Sequence, residues 1–313
     1  MVFLMATILV TGGSGNLARY VAAELAPSHR VVLFDRISPQ QASFPFESDC
    51  PLMLGELTSQ QDCDRVVREA HPDVIVHLGA IPVPTDSAEL AARMRSEGFS
   101  PPDLPADEAF RTNVLGTYYL LAAAQRHGVR KIVAASSYFV IGVGFRTGNR
   151  PFEVDYLPFD EEHPLRPEDT YSLSKVLNEE MYRAVARATR LQTIALRLLR
   201  VTFPHRDDPV KVFDIQPPQP LGQDFLTWLE YVDARDAAQA VRLAVEADNL
   251  PLFDAFIIAT DVTVRGDPRA LVLDLYPELH DKANTWRSGD LPFSIEKARR
   301  VLGYEPEHSW RKP

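Results

Sequence analysis

Residues 7–18 read TILVTGGSGNLA, and this stretch decides the fold. The apolar run ILV at 8–10 has no helical period, which is typical of a strand buried on both faces of a parallel sheet. Gly12, Gly15 and Ala18 follow at three-residue steps, and a helical pattern begins beside them. The stretch therefore predicts a buried strand, a tight turn and a helix in succession.

Such a turn is typical of a site that binds the pyrophosphate of a dinucleotide. Gly12 permits the tight turn, Gly15 lets the backbone approach the phosphates, and the helix N-terminus offers free N–H groups to the anion. We therefore expect Gly12, Gly15, Asn16 and Leu17 to contact a cofactor. The spacing alone fits an ordinary strand-to-helix turn equally well, so the interpretation depends on the residues that follow.

The second predicted strand ends in a carboxylate. The run VVLF at 31–34 is apolar, and Asp35 stands at its end, 20 residues after Gly15. A carboxylate at this place can accept hydrogen bonds from both ribose hydroxyls and repels a 2′-phosphate, so the sequence favours NAD over NADP. Arg36 would instead favour NADP, because a guanidinium can pair with a 2′-phosphate.

Further apolar strands at 51–54, 74–78, 131–135 and 193–198 alternate with helical patterns. This alternation predicts a Rossmann-type α/β fold, a doubly wound parallel sheet with helices on both faces. Because strand ends meet over the cofactor in such folds, we expect its site to include Arg36, Glu56, Leu57, Leu78, Gly79 and Ala80. His77 lies inside a strand and is expected to be a core residue with a satisfied ring.

Length and composition limit the possible functions. The 313 residues suit an NAD-binding Rossmann domain at 1–198 and a smaller, mostly substrate-binding domain at 199–313, with segments near 225–260 returning to the first. The net charge of −10, without a basic stretch, argues against nucleic acid as a partner. Two cysteines and no ligand cluster predict no metal site and fit a reducing compartment. The apolar start lacks a basic segment and a cleavage site, so a cytoplasmic protein is expected, and no apolar run is long enough to span a membrane.

Some segments have less certain patterns. The long polar connection at 81–109 is interpreted as a lid or a binding loop, with a disordered insertion as the alternative. Continuous helices are predicted at 108–127 and 168–189, and a short strand at 256–259. Asn113, within the first of these helices, is expected to help organise the cofactor site. A polar residue on a mostly buried helix would give the same pattern.

The reactive signature is Tyr171 with Lys175. Positions four apart share one face of a helix, so the phenol and the ammonium can contact the same ligand. A phenol with a pKa of roughly 10 is a poor base at neutral pH, but a nearby positive charge favours its ionised form. Ser137, after the fifth strand, can bind the same substrate oxygen. These groups suit removal of a proton from a hydroxyl while hydride leaves the carbon for a nicotinamide.

Taken together, TGGSGNLA, HLGA, NVLGT, ASSYFVIG and YSLSK resemble the extended short-chain dehydrogenase/reductases, in the branch of NAD-dependent nucleotide-sugar epimerases and dehydratases. The resemblance covers residues 7–198, and YVDARDAAQA and SIEKARRVLGYEP resemble C-terminal segments of that family. It implies that Tyr171 is the catalytic base, that Lys175 binds the nicotinamide ribose and tunes the base, and that Ser137 orients the substrate. It also implies that Asp35, Glu56, Leu57 and Ala80 line the cofactor site with the glycines.

One departure from the family concerns the substrate. The family's sixth strand usually continues LRxxN, whereas residues 196–204 read LRLLRVTFP and place Arg200 where the Asn is expected. That Asn commonly helps to hold a nucleotide diphosphate. Arg200 can instead pair with a diphosphate or a sugar carboxylate. We expect Arg200 and Thr202 to contact the substrate with Ser137.

The sequence leaves three functions open. The first is an NAD-dependent epimerase or dehydratase acting on a nucleotide sugar. The second is an NAD-dependent dehydrogenase of a free sugar or sugar acid, because the SSxxxIG form and HLGAI are similar to uronate dehydrogenases. The third is a non-catalytic protein that senses NAD(P). A homodimer is expected in the enzyme interpretations.

Overall fold

The computed structural model describes residues 5–96, 101–145, 153–206 and 229–311. Its centre is a parallel sheet of seven strands in the order β3-β2-β1-β4-β5-β6-β9, and a second sheet has the order β10-β8-β7. This arrangement confirms the predicted Rossmann-type fold. The strands are β1 Thr7–Thr11, β2 Arg30–Asp35, β3 Leu52–Leu54, β4 Val74–His77, β5 Lys131–Ser137, β6 Gln192–Leu198, β7 Arg200–Thr202, β8 Glu230–Asp233, β9 Phe253–Ile258 and β10 Asp261–Val262.

Helices follow the strands and cover the large sheet. They are α1 Asn16–Leu25, α2 Gln60–Ala70, α3 Ala88–Ser96, α4 Glu108–Phe110, α5 Gly116–Arg126, α6 Thr170–Ala188, α7 Ala234–Glu246, α8 Pro268–Leu275 and α9 Glu296–Leu302. Within the described ranges, no helix is long and apolar enough to cross a membrane. Cys50 and Cys63 are free thiols.

Strand β1 is buried from both sides. Ile8 and Val10 pack into the hydrophobic cluster on one face of the sheet, and Leu9 packs into the cluster on the other. Each of the three side chains is fully buried, which contributes about 1.5–3 kcal/mol per residue. The strand pairs in parallel with β2 and β4, so its carboxyl end lies between theirs. This central position places the glycine turn at the middle of the sheet edge.

The prediction of one continuous helix at 108–127 is wrong, because the helix is interrupted. A π-helical turn, Arg111–Leu115, separates α4 from α5. The Thr117 hydroxyl donates to the carbonyl of Asn113 at 2.6 Å, which in a regular α-helix would pair with the Thr117 amide. A side-chain hydroxyl thus bonds to a carbonyl of the helix backbone. Interruptions of an α-helix by a π-helical turn are frequent at functional sites.

The chain returns to the large sheet after residue 198. Strand β9 pairs in parallel with β6 and begins three residues before the predicted start at Phe256. Strands β7 and β8 pair in parallel in the small sheet, with Arg200 opposite Tyr231. The structure therefore places Arg200 immediately beyond the end of β6, beside the edge at which the cofactor is expected.

Candidate active site

Two adjoining cavities follow the carboxyl ends of the central strands. The larger, of about 690 Å³, extends from the glycine turn to the residues after β6, and the smaller, of about 210 Å³, lies over the ends of β2 and β3. Gly12, Gly15, Leu78 and Ala80 line both. The two cavities therefore form one elongated site, whose larger part has the size usual for a small-molecule pocket.

The glycine turn requires glycine for steric reasons. Gly12 has φ +68°, and a Cβ at this position would stand 2.7 Å from the amide nitrogen of Gly79. The Gly15 amide donates to the Gly12 carbonyl at 2.9 Å, which closes the turn before α1 begins. Asn16 and Leu17 are the first residues of α1 and line the larger cavity. A dinucleotide pyrophosphate fits this arrangement, because the first turn of α1 borders the cavity and contains no acidic residue.

Asp35 accepts a hydrogen bond from the glycine turn and also lines the smaller cavity. Its Oδ2 accepts a hydrogen bond from the Ser14 amide at 3.0 Å, and its Oδ1 accepts one from the Arg36 amide at 2.7 Å. Asp35, Arg36, Glu56, Leu57 and Gly79 all line the smaller cavity. The ribose end of a dinucleotide therefore fits beside a carboxylate that the backbone already holds in place.

The structure brings Ser137, Tyr171 and Lys175 together on the wall of the larger cavity. Ser137 ends β5 and Tyr171 lies in the first turn of α6. The pKa of Tyr171 is raised to about 12, mainly by burial, while a hydrogen bond with Ser137 lowers it and the charge of Asp169 makes a smaller contribution that raises it. Among the residues around the phenol, burial therefore outweighs the contacts that favour its ionised form.

Lys175 lies one turn after Tyr171. Its Nζ donates to the carbonyl of Ala135 at 2.8 Å and lies 5.7 Å from the centre of the Tyr171 ring. Burial lowers the pKa of Lys175 to about 8, against the attraction of Glu179. The ammonium is thus fixed to β5 beside the cavity, with the Tyr171 ring next to it.

The first turn of α6 is capped by a buried carboxylate. Asp169 accepts a hydrogen bond from the Ser172 amide at 2.8 Å and another from the Ser172 hydroxyl. Burial raises the pKa of Asp169 to about 6, although these hydrogen bonds lower it. Because an N-cap fixes the start of a helix, Asp169 also fixes the backbone of Tyr171.

Asn113 lies outside both cavities and connects two segments that border them. It is almost fully buried and lines neither cavity, and its carboxamide accepts from the Ile81 amide at 2.8 Å and donates to the Ile81 carbonyl at 3.0 Å. It also donates to the Ser174 hydroxyl at 3.1 Å. Asn113 therefore joins the segment after β4 to helix α6, and its contacts make it a positioning residue.

The remaining predicted residues, Arg200 and Thr202, line the larger cavity beyond β6. Several lining residues were not singled out from the sequence: Pro82, Val83, Arg93, Met94, Phe139 and Phe145. The position of Phe139, two residues after Ser137, is the one signal that could have indicated it. Arg93 and Met94 lie on α3, so the polar connection contributes to the cavity wall, as expected of a binding loop.

Comparisons with known proteins agree with this geometry. The model of the GDP-mannose 4,6 dehydratase family matches residues 9–216, about two thirds of the chain. The chain belongs to the extended short-chain dehydrogenase/reductases, among the NAD-dependent epimerases and dehydratases. The matched range begins within β1 and includes the glycine turn, Ser137, Tyr171 and Lys175.

Individual members of this family are distant relatives. A UDP-glucose 4-epimerase of Azospirillum brasilense is 27% identical over 62% of this chain and 49% of its own length. A uronate dehydrogenase of Pseudomonas syringae is 24% identical over 61% of this chain and 58% of its own length. These alignments therefore span only about half the length of the curated relatives.

Solved structures of family members share the fold over nearly the whole chain. The structure titled MoeE5 in complex with UDP-glucuronic acid and NAD superposes with a TM-score of 0.64 and 21% identity. The superposition covers 98% of this chain and 95% of that one. At this identity the likeness establishes the fold.

The raised pKa of Asp169 predicts a pH-dependent stability. In the unfolded chain this carboxyl ionises near pH 3.8, whereas in the native protein it stays protonated to about pH 6. Because the native state binds more protons between these values, its stability falls as pH rises through this window, by at most about 3 kcal/mol. Asp169→Asn keeps a capping side chain and removes the titration.

Urea unfolding of the two proteins from pH 4.5 to 7.5 measures this effect. The wild type should lose stability relative to Asp169→Asn as pH rises through this range. Titration of all other groups cancels in the difference between the two proteins. A difference that stays constant across the range would contradict the assignment.

Proposed function

We propose that this protein is an NAD-dependent oxidoreductase that acts on a secondary hydroxyl of a sugar derivative. The single observation that carries the proposal is the grouping of Ser137, Tyr171 and Lys175 on the wall of a cavity that begins at the glycine turn. Family membership and the NAD named for a solved relative support the cofactor. A sensor without chemistry would have no need of this grouping, so that alternative is disfavoured.

Tyr171, Ser137 and Lys175 each have a separate role in the proposed reaction. NAD, when bound, supplies the acceptor for hydride. Tyr171 removes the proton of the substrate hydroxyl, and Ser137 holds the same oxygen beside it. Lys175, fixed to the Ala135 carbonyl, brings a positive charge that favours the ionised phenol when the site is filled. We propose Gly12, Gly15, Asn16, Leu17, Asp35, Arg36, Glu56, Leu57, Leu78, Gly79 and Ala80 as the cofactor-binding residues.

Two substrate classes fit the end of the cavity beyond β6. Arg200 and Thr202 line this end, and a guanidinium can bind a diphosphate or a carboxylate through two parallel hydrogen bonds. A nucleotide sugar is our first assignment, with transient oxidation in an epimerase or dehydratase reaction. A sugar acid is the second, and the relative described as a uronate dehydrogenase supports it. The first reaction releases no net NADH with substrate, and the second accumulates it.

Tyr171→Phe tests the assigned base. The substitution keeps the ring and its packing but removes the group that takes the proton, so turnover should fall by about 10²–10⁴-fold. The affinity for NAD, measured by calorimetry, should remain nearly unchanged. Tyr118→Phe is the matched control, because Tyr118 is exposed and lines neither cavity. Turnover by Tyr171→Phe at the wild-type rate would remove Tyr171 from the mechanism.

Asp35→Asn tests the preference for NAD. The amide oxygen of Asn can still accept from the Ser14 amide, which holds the glycine turn, while the hydrogen bond from the Arg36 amide and the charge that repels a 2′-phosphate are both lost. The ratio of the Kd for NADP to the Kd for NAD should fall by about tenfold or more, which corresponds to about 1.4 kcal/mol. Arg36→Gln should raise the same ratio. An unchanged ratio in Asp35→Asn would show that other residues set the preference.

We also propose that the protein forms a homodimer through the helices α4, α5 and α6. Four large apolar side chains on these helices and the intervening π-helical turn are exposed: Phe110, Leu115, Tyr118 and Leu173. Exposed apolar residues grouped in this way mark interaction surfaces. Tyr118→Glu should therefore sediment as a monomer at concentrations at which the wild type is a dimer. Equal sedimentation of the two proteins would place the contact elsewhere.

A further inference from the structure

Residues 203–206 follow β7 and contact the side of helix α1. Nδ1 of His205 forms a hydrogen bond with the Tyr20 hydroxyl at 2.9 Å, and the His205 amide donates to the same hydroxyl at 3.3 Å. Tyr20 follows Asn16 by four positions, so the two positions share one face of α1. The contact therefore lies about 6 Å along the helix axis from the first helical residue after the glycine turn.

The connection after β2 contacts the same helix. The Arg19 guanidinium donates to the carbonyls of Phe44 and Pro45 at 3.0 and 2.8 Å, and it lies 4.8 Å from the centre of the Phe46 ring. The Phe44 ring also meets the His205 ring at a near-perpendicular angle, with centroids 5.7 Å apart. Two segments that are far apart in the sequence therefore meet beside α1.

Arg206 contacts an aromatic ring from each of these two segments. Its guanidinium carbon lies 4.9 Å from the centre of the Phe203 ring and 5.6 Å from the centre of the Phe44 ring. A cation over the face of an aromatic ring is attracted by the ring, and this contact uses none of its N–H donors. Both rings belong to segments that are bound to α1, so the position of Arg206 is fixed relative to this helix.

Phe203 and Arg206 line the larger cavity together with Gly12 and Gly15. Among the described residues of this lining there is no Asp or Glu, so its charged side chains favour an anionic ligand. An arginine can bind the oxygens of a phosphate through two parallel N–H donors. The cavity therefore combines two features that suit a pyrophosphate, the first turn of α1 and a guanidinium from the segment after β7.

We propose that Arg206 is a cofactor-binding residue that pairs with the pyrophosphate of NAD, and that Tyr20 and His205 position it. The inference rests on the proposed place of the pyrophosphate at the glycine turn. Release of NAD then requires that Arg206 gives up this contact. Slow release suits a reaction that regenerates the bound cofactor in each cycle, which is the first of the two assignments made above.

Arg206→Gln tests the pairing. The variant loses the charge-assisted hydrogen bonds to the pyrophosphate, so the Kd for NAD, measured by calorimetry without substrate, should rise about tenfold. Arg206→Lys should give an intermediate Kd, because an ammonium keeps the charge but lacks the planar group of donors. An unchanged Kd for NAD in Arg206→Gln would overturn the proposal.

Arg183→Gln is the matched control. The Arg183 guanidinium also lies over an aromatic ring, 4.1 Å from the centre of Phe253, but Arg183 lines neither cavity. This variant should bind NAD with the Kd of the wild type. An equal loss of affinity in Arg183→Gln and Arg206→Gln would show that the effect is not specific to the cavity, and would also overturn the proposal.

The diphosphate of a nucleotide substrate is the other group of this chemistry, and UDP distinguishes the two sources. Its Kd is measured by calorimetry on protein that is saturated with NAD. The Kd for UDP should be the same in the wild type and in Arg206→Gln. Weaker binding of UDP with an unchanged Kd for NAD would assign Arg206 to the substrate and contradict its assignment to the cofactor.

Tyr20→Phe tests the positioning role. The substitution removes the hydroxyl that contacts His205 and keeps the ring, so NADH should dissociate about threefold faster or more. The rate is measured by stopped flow, as the change in NADH fluorescence on displacement by excess NAD. In the Arg206→Gln background Tyr20→Phe should have little further effect, because Tyr20 acts through Arg206. Additive effects of the two substitutions would show that Tyr20 does not position Arg206.

Failure of the proposed function has a different signature. Full turnover by Tyr171→Phe would remove the assigned base and would leave the measurements of NAD binding unaffected. A wild type that binds no NAD would overturn both proposals. Equal Kd values for NAD in the wild type and Arg206→Gln would overturn this one alone.

Discussion

A chain of hydrogen bonds through His77 joins the glycine turn to the helix that carries Tyr171. Burial lowers the pKa of His77 to about 3, so the ring is neutral. Thr117 donates its proton to the Asn113 carbonyl and so accepts from Nε2 of His77. Nδ1 of this neutral ring therefore accepts from the Thr11 hydroxyl, which itself accepts from the Gly79 amide. From Thr117 the chain runs through the Asn113 carbonyl, the Asn113 carboxamide, the Ser174 hydroxyl and the Tyr171 carbonyl. The predicted core role of His77 thus includes fixing the two halves of the site to each other.

Helix α6 is held again one turn beyond Lys175. Glu179 and Arg197 form a fully buried ion pair with two hydrogen bonds, at 3.0 and 2.8 Å, and Ser136 donates to the same carboxylate. Burying both charges costs several kcal/mol, which a bidentate geometry with further hydrogen bonds offsets. The ion pair contributes little net stability, but it holds α6 at a fixed position relative to β5 and β6. Because Ser136 precedes Ser137, this contact also helps to fix the Ser137 hydroxyl relative to the Tyr171 phenol.

The sequence predicts the parts of the site that local sterics decide. Gly12 adopts a positive φ against the Gly79 backbone, and Asp35 ends a buried strand, so both are visible in short patterns. The role of Asn113 is not visible, because its partners Ile81 and Ser174 lie 32 and 61 residues away and come together only in the folded chain. The π-helical turn depends in the same way on tertiary packing, which overrides the helical pattern at 108–127.

Burial shifts the pKa values of Tyr171 and Lys175 in opposite directions. It raises the pKa of Tyr171 to about 12 and lowers the pKa of Lys175 to about 8, so the same apolar surroundings disfavour charge on either side chain. The ammonium is held by the Ala135 carbonyl, and Glu179 is its attractive charge partner, so its effect on the phenol is limited. An ionised Tyr171 therefore requires additional positive charge or a further hydrogen-bond donor at its oxygen. In the proposed reaction, the oxidised nicotinamide and the substrate hydroxyl would supply these, so that removal of the proton would require a filled site.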